Sequence, residues 1–430
     1  MNGFTRRLIA VTAAATAATA VVATAPVPAQ AHSSSYVKVG YFTQWGIYGR
    51  DFQLAKVQKS GAAARLTHLN YAFGPVTADG VCASADPWAD WQTPFSDANS
   101  VDGAGDVAGQ PIAGNLNQLA ELKKKNPKLR VLISLGGWSG SAYFSDAALT
   151  DASRKKLVSS CVDLWVKGNL TGLPDGVGAG IFDGIDLDWE WPGSSGNDGN
   201  VIRPEDKQNF TLLAAEFRAE LDKLGKANRR HYDLTAFLPA APAKIDAGFE
   251  VAKIFKYLDF GTLQGYDYHG TWEAKTNQQS ALRVPAGAPD NPDFSVENTV
   301  NAWLAGGAPK RKLVLGLPYY GQGWTGVTGS GNGLFQPAAG PAPGVFAAGT
   351  EDFKTLKQLP AQGYTVHRDL RNGHAWLFDG KTFWTYDDPA VLLQKTLYIR
   401  SRGLGGAMMW SLDGDDDKAT LTKTVSLGLI

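Results

Sequence analysis

The sequence predicts an α/β protein built as a (β/α)8 TIM barrel, with a small α+β insertion between strands seven and eight. Three observations carry this expectation. Eight short apolar and β-branched runs recur along the chain, and amphipathic helical stretches separate several of them, the pattern of a parallel sheet. The 430 residues suit one large barrel. The stretch from about residue 322 to 387 is rich in Gly, Pro and short aromatic runs, too long for one crossover helix. It is taken as the insertion.

Residues 1–31 stand apart. They have a basic start at Arg6 and Arg7, an Ala/Val-rich run and a small-x-small end at Ala29-Gln30-Ala31. That three-part pattern predicts a secretory signal peptide cleaved before His32, by Sec or twin-arginine export. The apolar run is short and Ala-rich for a membrane anchor. The remainder, 32–430, is expected to be one secreted, extracellular catalytic domain, monomeric and without membrane contact.

In chain order, strands are expected at 37–43, 66–73, 129–137, 180–190, 232–239, 258–267, 312–320 and 405–412. The apolar spacing of 116–126 and 207–225 predicts helices. A further helix over 151–167 has Asp151 as its candidate N-cap. The Asp/Trp-rich segment 80–114 reads as a long loop after strand two.

Composition narrows the partners. The chain carries 41 basic and 41 acidic residues, with no basic stripe for nucleic acid or anionic lipid. Thirteen Trp and 14 Tyr beside 49 Gly suit flat ligands with apolar faces, such as sugars. The two cysteines, Cys82 and Cys161, either pair as a disulfide or remain buried thiols, and neither has metal-ligand spacing.

The segment GIFDGIDLDWEWPG (180–193) bears the chemistry. Alternation along a strand puts Asp186, Asp188 and Glu190 on one face and Ile185, Leu187 and Trp189 on the other. In a barrel the acids then line the interior near the C-terminal mouth, where active sites of this fold sit. Asp183 falls on the opposite face and is given a structural role. Burial and like charge raise the pKa of such acids, so at least one is expected to be protonated near neutral pH. Glu190, the outermost, is placed as a general acid for glycosidic cleavage. No His stands near the acids, so no metal is assigned.

DGIDLDWE matches the D-x-x-D-x-D-x-E signature of family 18 glycoside hydrolases, the chitinases, and the chain resembles that family over most of its length. SLGG (134–137), GYDYHGTWE (265–273) and GGAMMWSLDGDD (405–416) are similar to its strand-three, strand-six and strand-eight motifs. The resemblance implies substrate-assisted hydrolysis of chitin and chitooligosaccharides without a cofactor, a departure from the usual two-carboxylate scheme. It makes Glu190 the proton donor and Asp188 the group that orients the substrate acetamide. Asp186 shares a proton with Asp188, and Tyr266 donates to the acetamido oxygen. Trp410 is the floor under the sugar, and Asp267 and Gly137 lie beside it. Two positions depart from the family pattern: Gln264 stands for the usual Met, and Gln322 for a frequent Arg. An endo-β-N-acetylglucosaminidase shares the signature, and a non-catalytic chitin-binding lectin shares the barrel. The lectin is disfavoured because Glu190 is present.

Trp45, Trp138 and Trp272 follow strand ends and are expected to stack on sugars. Trp191 is expected to line the cleft, and Trp324 is left between a platform and packing. GQGWTG (321–326) does not lead into a helix and is not read as a nucleotide loop. DGDDDK (413–418) is read as a solvated loop, His231 and His269 as isolated, and the Asn169 and Asn209 sequons as unmodified.

Overall fold

The computed structural model describes residue 1 and residues 36–289, 294–329 and 331–430. Beyond Met1, the signal-peptide segment lies outside the described residues. Seven strands come first: β1 (Val37–Thr43), β2 (His68–Gly74), β3 (Arg130–Gly136), β4 (Gly184–Asp188), β5 (Asp233–Leu238), β6 (Phe260–Leu263) and β7 (Leu313–Pro318). A second sheet follows, of β8 (Tyr320–Thr325), β9 (Gly340–Pro341), β10 (Thr350–Asp352), β11 (Thr365–Asp369), β12 (His374–Phe378) and β13 (Phe383–Tyr386). β14 (Gly406–Trp410) then pairs in parallel with both β1 and β7. The barrel closes in the order β1-β14-β7-β6-β5-β4-β3-β2, the predicted fold class.

Helices cover the outside. Residues Asp206–Asn228 form the longest, and Phe210, Leu213, Phe217 and Leu221 recur on its buried face at three- and four-residue spacing. They pack in one core with Ile185 and Leu187, the outward-facing residues of β4. Each such side chain stabilises the fold by about 2 kcal/mol through burial. The helix Asp151–Cys161 is capped by Thr150 rather than Asp151. The Thr150 side chain accepts from the Ser153 N–H, and Ser153 accepts from the Thr150 N–H. Among the described residues, no helix is long and apolar enough to cross a membrane.

Among the strands shorter than expected, three bear on the site. β4 stops at Asp188, so Glu190 sits past the strand end. β6 stops at Leu263, leaving Gln264, Tyr266 and Asp267 on the following turn, where Asp267 has φ of 56°. The run 312–320 breaks at Tyr319, separating β7 from β8. β8 pairs antiparallel with β10 and β13, and β12 lies between β13 and β11.

Long segments are tied down by polar contacts. In the loop after β2, buried Asp90 accepts from Gln44 and from the hydroxyls of Tyr71 and Ser84. Cys82 and Cys161 form a disulfide with Cα atoms 4.9 Å apart. Arg50, on the loop after β1, pairs with Asp352 of β10 and with Asp413 beyond β14. The 413–418 segment is therefore not simply solvated: Asp413 and Asp415 are buried, and Asp415 accepts the N–H groups of Leu421 and Thr422 in the last helix.

Candidate active site

The register of the barrel explains what surrounds the first acid. Ser134 of β3 and Thr235 of β5 both sit beside Asp186 of β4. Side chains at paired positions of parallel neighbours point the same way, so two hydroxyls flank one carboxylate. Ser134 donates at 2.7 Å and Thr235 at 2.5 Å. Tyr41 adds a third hydroxyl at 2.6 Å, reaching in from β1. Asp186 is fully buried, and burial raises its pKa while these three donors oppose the rise.

Asp188 lacks such support. It is 3% exposed, and its Oδ1 has no hydrogen-bond partner. Burial, then the charges of Glu190 and Asp186, push its pKa well above the usual carboxylate range. Asp188 and Glu190 act on each other's titration, and Asp186, which accepts three hydroxyls, adds its charge from below.

Glu190 is half-buried at the mouth, and its pKa is pushed up to about 8, chiefly by burial. Ser141 fixes its backbone: the hydroxyl accepts from the Glu190 N–H at 3.0 Å and donates to the Gly137 and Asp188 carbonyls. Asn200 donates to the Glu190 carbonyl at 2.8 Å. The two glycines of SLGG have a steric reason. Gly136 and Gly137 have φ of 103° and 74°, and a Cβ on Gly136 would come within 2.4 Å of the Asp188 carbonyl oxygen.

Across the mouth, Tyr266 is buried between Phe237 and Tyr320, and burial with the charge of Asp267 raises its pKa. Asp267 accepts from the Tyr320 hydroxyl at 2.6 Å and from Gln322 at 3.2 Å. The amide of Gln322 thus serves the acid beside it. Gln264 accepts from the Ala240 N–H at 3.4 Å, tying the exit of β6 to that of β5.

The aromatics divide into two groups. Trp410 meets the Tyr41 ring edge-on at 5.1 Å and stacks on Phe73 at 5.8 Å, and Phe73 continues to Trp45. Trp45, Trp138 and Trp272 are 36%, 50% and 64% exposed, leaving faces open for a ligand. Trp191 differs from its expected place: it is 3% exposed and packed on Phe237, a wall behind the acid rather than a cleft surface. Trp324 lies within β8, fully buried, and its indole N–H donates to the Glu273 carbonyl. It is a packing residue.

Neither histidine is isolated. His269 contacts Glu273 and His231 contacts Asp259, both at 2.9 Å. His231, Asp233 and Asp259 offer ligand atoms within 4.8 Å of one another. Arg130 and Arg218 already engage these two carboxylates, so the trio belongs to an ion-pair network.

Strand alternation alone does not identify Tyr41, Ser134, Thr235, Ser141 or Tyr320. Thr235 and Ser134 become visible once β3, β4 and β5 are aligned in register. Ser141 comes from a loop with no periodic signal, and Tyr320 opens β8, just past the break at Tyr319.

The family model for glycosyl hydrolases family 18 matches residues 37–415. The catalytic domain of the psychrophilic chitinase B from Arthrobacter TAD20 superposes with a TM-score of 0.88 at 46% identity, covering 92% of this chain and 95% of that one. Chitinase A1 of Niallia circulans is 38% identical over 92% of this chain and 59% of its own length. Chitinase C of Streptomyces lividans is 37% identical over 88% and 57%. The chain thus spans about three fifths of these two relatives. With the barrel, the ladder of acids and these matches in agreement, the chain belongs to glycosyl hydrolases family 18.

Proposed function

We propose that this chain is a secreted chitinase that hydrolyses β-1,4 linkages between N-acetylglucosamine residues, with retention and with help from the substrate's own acetamide. The observation that carries the reading is the state of Glu190, an acid at the barrel mouth whose pKa near 8 keeps it protonated at neutral pH. A general acid needs that proton in hand.

Glu190 gives its proton to the glycosidic oxygen as the bond to the anomeric carbon breaks. The acetamido carbonyl oxygen forms the new bond to that carbon, giving a cyclic oxazolinium ion. Asp188 accepts from the acetamido N–H and balances the charge that develops there. Tyr266 donates to the acetamido oxygen, and Asp186, held by three hydroxyls, supports Asp188 from below. Water then adds to the anomeric carbon, and the Glu190 carboxylate takes its proton, restoring both the acid and the original stereochemistry. Trp410 forms the floor, Trp45, Trp138 and Trp272 carry neighbouring sugars, and Asp267, Gln264 and Gly137 line the reacting position.

The whole-domain likeness to the catalytic domain of chitinase B from Arthrobacter TAD20, at 46% identity, supports a chitin substrate. A direct test of the mechanism is to sequence the products from partly deacetylated chitosan. New reducing ends should be N-acetylglucosamine; glucosamine at equal frequency would remove the acetamide as nucleophile. Cellulose oligomers, which lack the acetamide, should not be cleaved. Export is checked by finding a secreted chain that begins at His32.

A further inference from the structure

Around Glu190 stand Asp186 and Asp188 of β4, Asp267 and Tyr266 on the turn after β6, and Tyr320 of β8. Burial and the charge of Asp267 raise the Glu190 pKa, while its contact with Asp188 lowers it. One cation faces it among the described residues, Lys244. Lys244 lies on the short helix Pro242–Gly248 that follows β5, with its Nζ 5.3 Å from the centroid of the Trp191 ring. Trp191 is the residue immediately after Glu190.

The placement is fixed by backbone contact. A Cβ on Gly248 would lie 2.3 Å from the Pro192 carbonyl oxygen, and one on Gly193 would lie 2.7 Å from the Ala247 carbonyl oxygen. The helix therefore rests directly on the chain just past Glu190, without room for a side chain between them. Lys244 is half-buried, and the one charge acting on it is that of Glu190. A cation in that position has given up part of its hydration, with an aromatic face as its main replacement.

We propose that Lys244 is a positioning residue for the candidate acid: its ammonium, seated over Trp191, sets the alkaline edge of activity by favouring release of the Glu190 proton. The inference rests on Glu190 being the proton donor. Its chemistry is a compromise. Burial and the charge of Asp267 hold the proton tightly, and a proton held too tightly is a poor one to donate. Lys244 offsets part of that grip and also favours the carboxylate that must later take a proton from water. Consistent with this, burial lowers the Lys244 pKa while the Glu190 charge raises it, and Lys244 in turn lowers that of Glu190.

The test is the pH profile of kcat/KM on a chitotetraose carrying a chromogenic leaving group, for the parent, K244M and K244R. Met keeps the aliphatic stem and removes the charge; Arg keeps the charge. The alkaline limb of K244M should move up by about one pH unit, and that of K244R should stay with the parent. Carbon-13 titration of the Glu190 carboxyl should show the same displacement in K244M. An unmoved limb and carboxyl titration in K244M, or an equal shift in K244R, would overturn the proposal. The shape of a profile does not depend on how much enzyme is folded, so lost yield does not obscure the result. E190Q, assayed alongside, reports on the underlying reading: near-parent activity in E190Q would overturn both, whereas an inactive E190Q with an unmoved K244M overturns the role of Lys244 alone.

Discussion

At the residue scale, three carboxylates in one ladder differ because their donors differ. Asp186 accepts three hydroxyls, Asp188 has an unbonded oxygen, and Glu190 sits half-buried at the mouth with its pKa raised chiefly by burial. Because the Glu190 pKa lies near 8 instead of 4.5, the donor form persists through neutral pH and is lost as pH rises through about 8. The pH profile of kcat/KM should therefore fall on the alkaline side near that value. The same shift has a stability consequence of known sign. An acid whose folded pKa is raised contributes stability that is present below its unfolded pKa and lost as pH rises through the folded one. E190Q should thus lose two to four orders of magnitude in kcat, yet match or exceed the parent in Tm at pH 8. Asp188→Asn and Tyr266→Phe should lower kcat more than they raise KM, because their contacts strengthen as the oxazolinium forms. A change mainly in KM would reduce either residue to simple binding. The ladder itself was legible from the alternation of DGIDLDWE. The hydroxyls that set Asp186 apart were not, since they come from β1, β3 and β5.

At the scale of elements, local signals were read well and long-range ones poorly. Apolar periodicity located the helices, but the cap of 151–161 moved by one residue, because Thr150 and Ser153 can exchange side-chain bonds with each other's backbone. Strand ends were overestimated where an apolar run continued into a turn, as after β4 and β6. The insertion was visible as a change of composition. Its pairing order was not, because antiparallel partners there lie up to tens of residues apart and no local pattern encodes them. The disulfide is an element-scale staple between the loop after β2 and the helix 151–161. It closes a separation of 79 residues, for which restricting the unfolded chain is worth about 4 kcal/mol. Thiol titration of the denatured, unreduced protein should find no free sulfhydryl. Replacing both cysteines by serine should lower Tm by about 5 °C. An unchanged Tm would mean that Asp90 and its donors hold the loop without the bridge.

Across the whole molecule, the two ends of the barrel use acids in opposite ways. At the mouth, Asp186, Asp188, Glu190 and Asp267 all have raised pKa values, with burial the first cause in each. At the other end, where the strands begin, Asp183 pairs with Lys123 and Arg230, Asp233 with Arg130 and His68, and Asp259 with Arg218 and His231. The acids at the mouth suit the proposed chemistry, while charge pairing at the base serves folding, the division expected of this architecture. Asp233 shows the contrast best. Burial alone would raise its pKa, but His68 and Arg130 more than compensate, and the net shift is downward. A depressed carboxylate contributes stability that is present above its unfolded pKa, about 4, and lost as pH falls through the folded value. Asp233→Asn leaves Arg130 without its buried partner and should cost about 3 kcal/mol at pH 7. Its kcat on soluble chitooligosaccharide should stay within twofold of the parent, because none of the groups it touches reaches the mouth. The Tm difference between the two proteins should narrow as the pH falls below 4 and through the depressed folded value, where the parent carboxylate is protonated too. A gap that stayed constant down to pH 2 would mean that the side chain acts through packing, and that the ion pairs at the base contribute nothing to acid stability.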